Sequence, residues 1–459
     1  MKKVHFIGIG GTGISAIALL LLEKGWQVSG TDKSASRYFD AVSAKGARTI
    51  LGHSPELALE ADVIVRSSAV HDDDPEVLAA REKGIPVLKR NQFLPELTAG
   101  YQTLAVAGSH GKTTCTAMLV TLLLGLGMDP SFILGAQIRP LATNAHAGTS
   151  NIFVIEADEY DNMFLGLNPK VSLLTNIEYD HPDFFPTPKD YDQSFAEFIR
   201  RTQLGGAVIA CAEDAGVGNL LAENQFEDIS ILTYGYTADC TYAIQNEQWN
   251  GEGYDFTLVH TPSRESLGTF SLHLPGRHNL LNAAGALAVL HQLGLNASSA
   301  NKSLAAFVGT ERRFEQVCRR ADTLVINDYG HHPTQLDLTL QAARELYPDH
   351  RLWAVWEPHT FSRTDRMQAA FTAALQRADR VVILPTYAAR ETVQTDTPRQ
   401  IAESIPEAKA AYFASFAEAA DYIAKEAQGL NAVIVFSAGK GPEFTDMLCA
   451  KLETRGQND

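Results

Sequence analysis

With 459 residues the chain is too long for one ordinary domain and suggests about three. Its apolar content of 45% and charged content of 20% are those of a folded, soluble protein rather than a disordered one. A formal net charge of −16, with no basic tract to offset it, argues against nucleic acid as a partner, although a local cradle can still hold an anionic small molecule.

Met1-Lys-Lys-Val runs directly into an apolar strand, so no signal peptide is expected, and Ile14 to Leu22 is too short an apolar run to span a bilayer. A cytoplasmic chain that does not engage a membrane is the expectation. Val4-His-Phe-Ile-Gly-Ile-Gly-Gly-Thr-Gly13 reads as a buried strand entering G-x-G-x-x-G, followed by a helix over Ile14 to Lys24, a stop at Gly25 and a second strand, Trp26 to Thr31. Gly8, Gly10, Gly11, Thr12 and Gly13 would let a pyrophosphate approach the helix N-terminus, and Asp32 sits where the dinucleotide fingerprint carries its acid. Taken alone, this pattern suits an NAD-dependent oxidoreductase as well as any other nucleotide binder. A further strand from Val63 ends on Ser67, Ser68 and Ala69, at the sheet edge where such folds bind ligands, although plain turn residues would look the same. Pro86-Val-Leu and the helix Gln92 to Leu97 complete a doubly wound unit that ends near Gly100.

Thr103-Leu-Ala-Val-Ala ends in Gly108-Ser-His-Gly-Lys-Thr-Thr114, and a helical pattern continues from Cys115 to Gly125. Strand, glycine loop and helix start are the parts of a phosphate cradle. The backbone N–H groups of Gly108, Ser109, His110 and Gly111 face the anion, Lys112 reaches the outer phosphates, and a hydroxyl of Thr113 or Thr114 serves a divalent cation. The strand Asn151-Ile-Phe-Val-Ile stops on Glu156, an acid at the carboxyl end of a strand beside the loop and so a candidate Mg²⁺ ligand. A strand from Val171 leads to Glu178-Tyr-Asp-His181, whose histidine faces the same crevice if that strand is parallel to the others. The stretch from Thr233 to Phe270 has β-like alternation and no recognisable chemistry. Asn279 and Asn282, three apart on one helix face, could present paired donors and acceptors to a purine edge, or serve as a cap and a surface amide.

From Thr323 the chain restarts as alternating strand and helix, which implies a second mostly parallel sheet. Leu324-Val-Ile-Asn-Asp-Tyr-Gly-His-His-Pro333 and Leu352-Trp-Ala-Val-Trp-Glu-Pro-His359 are strands ending in polar clusters. Ser362 is expected to cap the helix that carries Arg363, a candidate carboxylate clamp. Gly309-Thr-Glu-Arg-Arg-Phe314 supplies two guanidiniums at the junction of the central and last parts. His331 and His332 are not expected to share a metal, since adjacent side chains diverge. The five cysteines (115, 211, 240, 318, 449) are scattered and lack C-x-x-C spacing, so reduced thiols are expected rather than disulfides or zinc.

In order along the chain, Gly8-Ile-Gly-Gly-Thr-Gly13, Gly108-Ser-His-Gly-Lys-Thr-Thr114, Glu156-Ala-Asp-Glu159, Thr175-Asn-Ile with Asp180-His181, His278-Asn-Leu-Leu-Asn282, Arg312-Arg-Phe, Asp328-Tyr-Gly-His-His-Pro333 and Pro358-His-Thr-Phe-Ser-Arg-Thr364 resemble the motifs of a Mur ligase. The resemblance covers nearly the whole chain and implies an α/β protein of three domains. These are an N-terminal Rossmann-like domain for UDP-N-acetylmuramate (1–100), a central P-loop ATPase-like domain (101–308) and a C-terminal Rossmann-like domain for the incoming amino acid (309–459). It implies that ATP phosphorylates the muramoyl carboxylate and that the amine of L-alanine attacks the acyl phosphate. By the same resemblance Lys112 and its loop hold the phosphates, while Thr113, Glu156 and His181 bind Mg²⁺, or Mn²⁺ in its place. Asn279, Asn282, Arg313 and Asp328 reach the nucleotide, and Tyr329, His331, His359 and Arg363 surround the amino acid. Gly8 to Gly13, Asp32 and Ser67 to Ala69 serve the UDP-sugar. Lys112, Glu156, His181, His331 and Arg363 form the catalytic set, in a monomer or homodimer. Thr360 stands where such ligases commonly carry an arginine. Ala157-Asp-Glu-Tyr-Asp161 looks like the sister ligase that recycles murein tripeptide, which stays open as an alternative.

Overall fold

The structure, a computed structural model, describes residues 2–320, 322–389, 391–392, 395–406 and 409–455. Its short runs of β-branched and apolar residues build three sheets, each from one contiguous stretch of chain. The first contains β1 (Lys3–Ile7), β2 (Gln27–Asp32), β3 (Arg48–Leu51), β4 (Val63–Arg66) and β5 (Val87–Lys89), in the order β3-β2-β1-β4-β5. Every pairing in it is parallel. Only Lys3 of β1 is exposed, as a central parallel strand covered on both faces requires.

The second sheet contains β6 (Gln102–Ala107), β7 (Ser131–Ile138), β8 (Thr143–His146), β9 (Ile152–Glu156), β10 (Val171–Leu174), β11 (Ala207–Cys211), β12 (Ser230–Gly235), β13 (Tyr242–Trp249), β14 (Tyr254–His260) and β15 (Glu265–Leu272). Its order is β15-β14-β13-β12-β11-β10-β6-β9-β7-β8, parallel from β13 to β7 and antiparallel at both margins. The alternating stretch 233–270 supplies the antiparallel margin β13–β15. β6 has the sequence-distant β10 on one side and β9 on the other, so the chain reverses its direction of travel across the sheet there. The loop after β6 opens into the crevice that such a reversal leaves. The helix Lys112–Gly125 that follows is buried from Thr113 to Val120, because the sheet takes one side of it and the helix Arg277–Gln292 the other.

The third sheet contains β16 (Glu315–Arg320), β17 (Thr323–Asp328), β18 (Arg351–Trp356), β19 (Arg380–Ile383), β20 (Ala410–Tyr412) and β21 (Asn431–Phe436), in the order β16-β17-β21-β18-β19-β20. All but the β16–β17 pair run parallel. Trp353 and Trp356 show how β18 serves two cores, since residues an odd number apart point to opposite faces. Trp356 stacks on Phe371 at 4.5 Å on one side, while Trp353 lies on the other and donates its Nε1–H to Asn431 Oδ1 at 2.9 Å.

Two expectations are corrected here. Cys318 and Cys449, 131 residues apart, form a disulfide between β16 and the last helix, Gly441–Arg455. Their proximity is set by the antiparallel edge strand, which no spacing in the sequence announces. The remaining cysteines, 115, 211 and 240, are buried thiols. The helix Phe361–Arg366 starts two residues earlier than Ser362 as its cap would dictate: its cap is Thr360, at positive φ (65°) with no side-chain capping bond. Glu391 does the capping from a different loop, accepting from the backbone N–H groups of Phe361 and Ser362 and from the Ser362 hydroxyl. A carboxylate at a helix N-terminus meets both the free N–H groups and the favourable end of the dipole.

Trp356 is fully buried on the face that also packs Phe371 and Leu340. Trp356→Ala is therefore expected to cost about 3–5 kcal/mol, read as a lower urea midpoint at unchanged slope. A loss below about 1 kcal/mol would mean that this face is not a packed core.

Candidate functional site

The carboxyl ends of β6, β9, β10, β17 and β18 converge on a cleft of about 740 Å³, which is also lined by helices and loops from the parts of the chain that carry the first and third sheets. In the phosphate loop, Gly108 adopts φ 140°, and a Cβ there would sit 2.1 Å from Thr175 Oγ1. Gly111 adopts φ 80° and faces Asn282, whose Oδ1 would lie 2.9 Å from a Cβ. Both positions exclude side chains, and the backbone is left open. The loop is pinned from β10's end. Asn176 Oδ1 accepts from His110 N at 2.8 Å, Thr175 Oγ1 donates to His110 O at 2.6 Å, and Ser109 Oγ bonds Glu178 O and the Tyr191 hydroxyl, each at 2.7 Å.

Lys112 opens the helix and turns its Nζ back into the loop, donating to Gly108 O, to Ser109 O and to Glu159 Oε2 at 2.7 Å. Burial works against its charge, but Glu159, Asp158 and Glu156 outweigh that and raise its pKa. Burial likewise opposes ionisation of Glu159, yet Lys112 and His181 hold its carboxyl down to about 2. Thr113 Oγ1 donates to Glu156 Oε1 at 2.9 Å, and Glu156 Oε2 accepts from Gly135 N at 2.6 Å. Burial raises Glu156 above the usual carboxylate range despite those bonds. A hydroxyl beside a buried carboxylate that lacks full compensation is a donor set suited to a hard divalent cation.

His181, at φ 55°, sets Nε2 3.4 Å from Glu159 Oε1, and the next acid along, Asp180, is its sequence neighbour. Burial lowers the His181 pKa, but Asp180 and Glu159 more than reverse this and raise it. Asp180 Oδ1 accepts from Arg363 Nε at 3.0 Å and Nη2 at 2.7 Å, while Arg363 Nη1 donates to His359 Nδ1 at 2.8 Å. Arg363 thus spends three of its five N–H groups inside the protein, leaving two for a ligand. His331 has its Nδ1 3.1 Å from Tyr329 O and its Nε2 3.9 Å from Asp180 Oδ2. Nδ1 must then carry the proton, so Nε2 offers a lone pair to the cleft. Burial and Arg363 push His331 well below the ordinary imidazole range, and His359 down to about 4. Both rings are neutral at pH 7.

A second cavity of about 240 Å³ lies behind the loop, lined by Asn279, Asn282, Arg313, Asp328 and Thr114 among others. Asn279 Nδ2 donates to Pro275 O at 2.8 Å, which leaves its Oδ1 near Asn282. Asp328 takes the N–H groups of Phe314 at 2.9 Å and Gly330 at 2.7 Å, shaping the turn on which Arg313 and Arg312 stack over Tyr329. At the start of the helix after β1, Thr12 and Gly13 line the large cleft, but Gly8, Gly10, Gly11, Ser67, Ser68 and Ala69 do not. Asp32 accepts from Gly10 N at 2.9 Å and Ser34 N at 3.2 Å, so both carboxylate oxygens serve the loop's own shape.

Three family models match end to end: "Mur ligase family, catalytic domain" over residues 3–102, "Mur ligase middle domain" over 106–290, and "Mur ligase, glutamate ligase domain" over 312–439. The chain belongs to the Mur ligase family. Among curated relatives, the UDP-N-acetylmuramate–L-alanine ligase of Saccharopolyspora erythraea is 39% identical, covering 97% of this chain and 93% of its own. That of Frankia casuarinae is 38% identical, covering 93% and 91%. Among solved structures, the UDP-N-acetylmuramate-alanine ligase of Thermotoga maritima superposes with a TM-score of 0.82 at 26% identity, over 99% of this chain and 100% of that one. A murein peptide ligase of Psychrobacter arcticus gives 0.76 at 25% identity, over 99% of each chain.

In this Mur ligase, Glu159 and Asp180 join the candidate set although sequence reasoning gave neither a role. Each lies inside a quoted motif, next to a residue that was chosen, and each is revealed only by the cation it neutralises. Arg90 was also missed. It lies over Gly13 at the start of the first helix, with Nη2 3.7 Å from Asp158, and lines the cleft.

His278, in the smaller cavity, is pushed down to about 4 by burial. Unfolded, it titrates near ~6.5, so between those values the unfolded chain binds a proton that the fold refuses. Its contribution is full above about 6.5 and is lost as the pH falls towards about 4. His278→Gln is accordingly expected to lose less melting temperature between pH 7 and pH 5 than the parent, by about 2–4 °C. Parallel pH profiles for the two proteins would contradict this.

Proposed function

We propose that the enzyme ligates L-alanine to the muramoyl carboxylate of UDP-N-acetylmuramate at the expense of ATP, in peptidoglycan precursor synthesis, releasing ADP and phosphate. The observation that carries this reading is an unbroken chain of charged and polar groups, Lys112–Glu159–His181–Asp180–Arg363–His359. It runs from the phosphate loop to the third sheet across one cleft. Such a chain suits a reaction that must bring a phosphate, a carboxylate and an amine together. The curated relatives, alanine ligases at 36–39% identity over nearly the full chain, support alanine as the amine.

In this reading the units 1–100, 101–308 and 309–459 hold the UDP-sugar, ATP and the amino acid respectively. Gly108 to Thr114 cradle the phosphates, with Lys112 on the outer ones, and Asn279, Asn282, Arg313 and Asp328 surround the base and ribose. A muramoyl carboxylate oxygen attacks the γ-phosphorus and the bond to the β-phosphate oxygen breaks, leaving an acyl phosphate and ADP. The alanine nitrogen then adds to the acyl carbon, and the tetrahedral species expels inorganic phosphate to form the amide. His331, neutral with Nε2 unprotonated, accepts the proton that the amine must lose. Arg363 and His359 orient the amino-acid carboxylate with the N–H groups they still have free. Thr113 and Glu156, with His181 in the same cleft, would hold Mg²⁺ or Mn²⁺, which supplies charge neutralisation to the transferring phosphoryl group.

The tripeptide-recycling reaction is the second reading, favoured by the Psychrobacter arcticus likeness and the Ala157 to Asp161 segment. An oxidoreductase reading is weakened because Asp32 is committed to its own loop. Phosphate release with ATP, Mg²⁺ and UDP-N-acetylmuramate is expected with L-alanine and not with L-Ala-γ-D-Glu-diaminopimelate. Lys112→Ala should lower that release by about 10³-fold or more while leaving UDP-sugar binding in place. Turnover with the tripeptide alone would replace the first reading with the second, and full activity in Lys112→Ala would overturn both.

A further inference from the structure

The first turn of the helix Pro333–Leu346 reaches the phosphate loop through side chains that the proposed chemistry does not use. Gln335 Oε1 accepts from the backbone N–H groups of His331 at 2.8 Å and His332 at 3.2 Å. Its orientation is thereby fixed, and the amide nitrogen must point the other way, where it lies 3.0 Å from His110 Nδ1. An amide nitrogen only donates, so His110 Nδ1 is the acceptor and the ring proton sits on Nε2, 2.9 Å from Glu178 Oε2. Glu178 closes the circuit, since its other oxygen accepts from Thr334 Oγ1 at 2.7 Å. A ring of hydrogen bonds therefore joins the phosphate loop, the end of β10 and the turn from which His331 projects.

We propose that Gln335 is a positioning residue that couples a filled phosphate loop to an ordered amino-acid pocket. A nucleotide that fixes the loop fixes His110. His110 fixes the Gln335 amide, and the opposite end of that amide holds the His331 and His332 backbone in place. Coupling of this kind is reciprocal, so an amino acid in its pocket also steadies the loop. Gln335 is also the third residue of its helix, where a side chain bonding back to the cap is common, and a capping role alone would explain its contact with His332. Capping does not require the bond to His110.

The proposal rests on the ligase reading only for its kinetic readout, so the first measurement is independent of the amine substrate. Hydrogen exchange of residues 331–340 in the full chain is followed with and without ADP. ADP is expected to slow exchange there at least fivefold in the parent and not in Gln335→Met. Gln335→Glu keeps an acceptor for the cap but loses the donor. With no N–H to offer His110 Nδ1, this variant should keep its melting temperature and lose the protection. With turnover as readout, Gln335→Met should raise the KM for L-alanine at least fivefold while the ADP Kd of the free enzyme stays within twofold. A cycle with His110→Ala should show the two losses to be non-additive. Equal ADP protection in parent and Gln335→Met, or additive losses in the cycle, would overturn the coupling. Protection that behaves as expected, in an enzyme that does not turn over alanine, would overturn the substrate reading alone.

Discussion

Glu159 and Asp180 are almost wholly shielded from water at the base of the cleft, and an ionised carboxylate there must have a cation beside it. Their partners come from different parts of the chain. Lys112 comes from the helix after β6, His181 from beyond β10, and Arg363 from a short helix after β18. Glu159 therefore ties the phosphate loop's helix to the segment after β10, and Asp180 ties that segment to the third sheet's unit. Removing any one partner would leave a buried charge uncompensated, which costs far more than the net worth of the pair. Burial also pushes His331 and His359 below the ordinary imidazole range and so keeps both rings neutral at pH 7.

Much of this was legible in the residues. Each glycine loop sits after a buried strand and before a helix, and the structure has both at the ends of β1 and β6. Parallel β-branched runs such as Val433-Ile-Val-Phe436 read as strands because a sheet covered on both faces needs no polar alternation. What stayed hidden depends on partners distant in sequence. The Cys318–Cys449 bond joins an edge strand to the final helix across 131 residues. Glu391 caps the helix of Arg363 from a loop, which allowed Ser362 to pass for the cap. Asp32 matched its fingerprint position, yet the loop itself claimed its carboxylate. Residue type and spacing indicate which chemistry is available. They do not reveal whether the fold has already used it.

Some of the non-glycine residues with positive φ, His181, Arg312, Phe314, Thr360 and Ala389, line the two cavities, while others, such as Ala142, Asp228 and Asn246, lie elsewhere. Backbone of this kind persists where the surroundings over-determine it. At Arg312 and Phe314 the fastening is Asp328, which holds Phe314 N, together with Ser437 O, which receives the Arg312 guanidinium. These two residues lie at the junction between the second and third sheets.

The contacts that close the cleft are unequal in strength. The first and third sheets meet through Arg37 and Glu311, at 3.0 Å, a pair in which Arg37 is exposed and Glu311 partly buried, so that water reaches it from one side. The second and third are clasped by Arg363 and Asp180, at 2.7 Å and almost fully buried. A molecule fastened in this way has one easy door and one stiff one. A product that leaves past Arg37 meets a pair with one exposed partner and one that leaves past Arg363 a pair with none, so the pace of its departure depends on which door it must use.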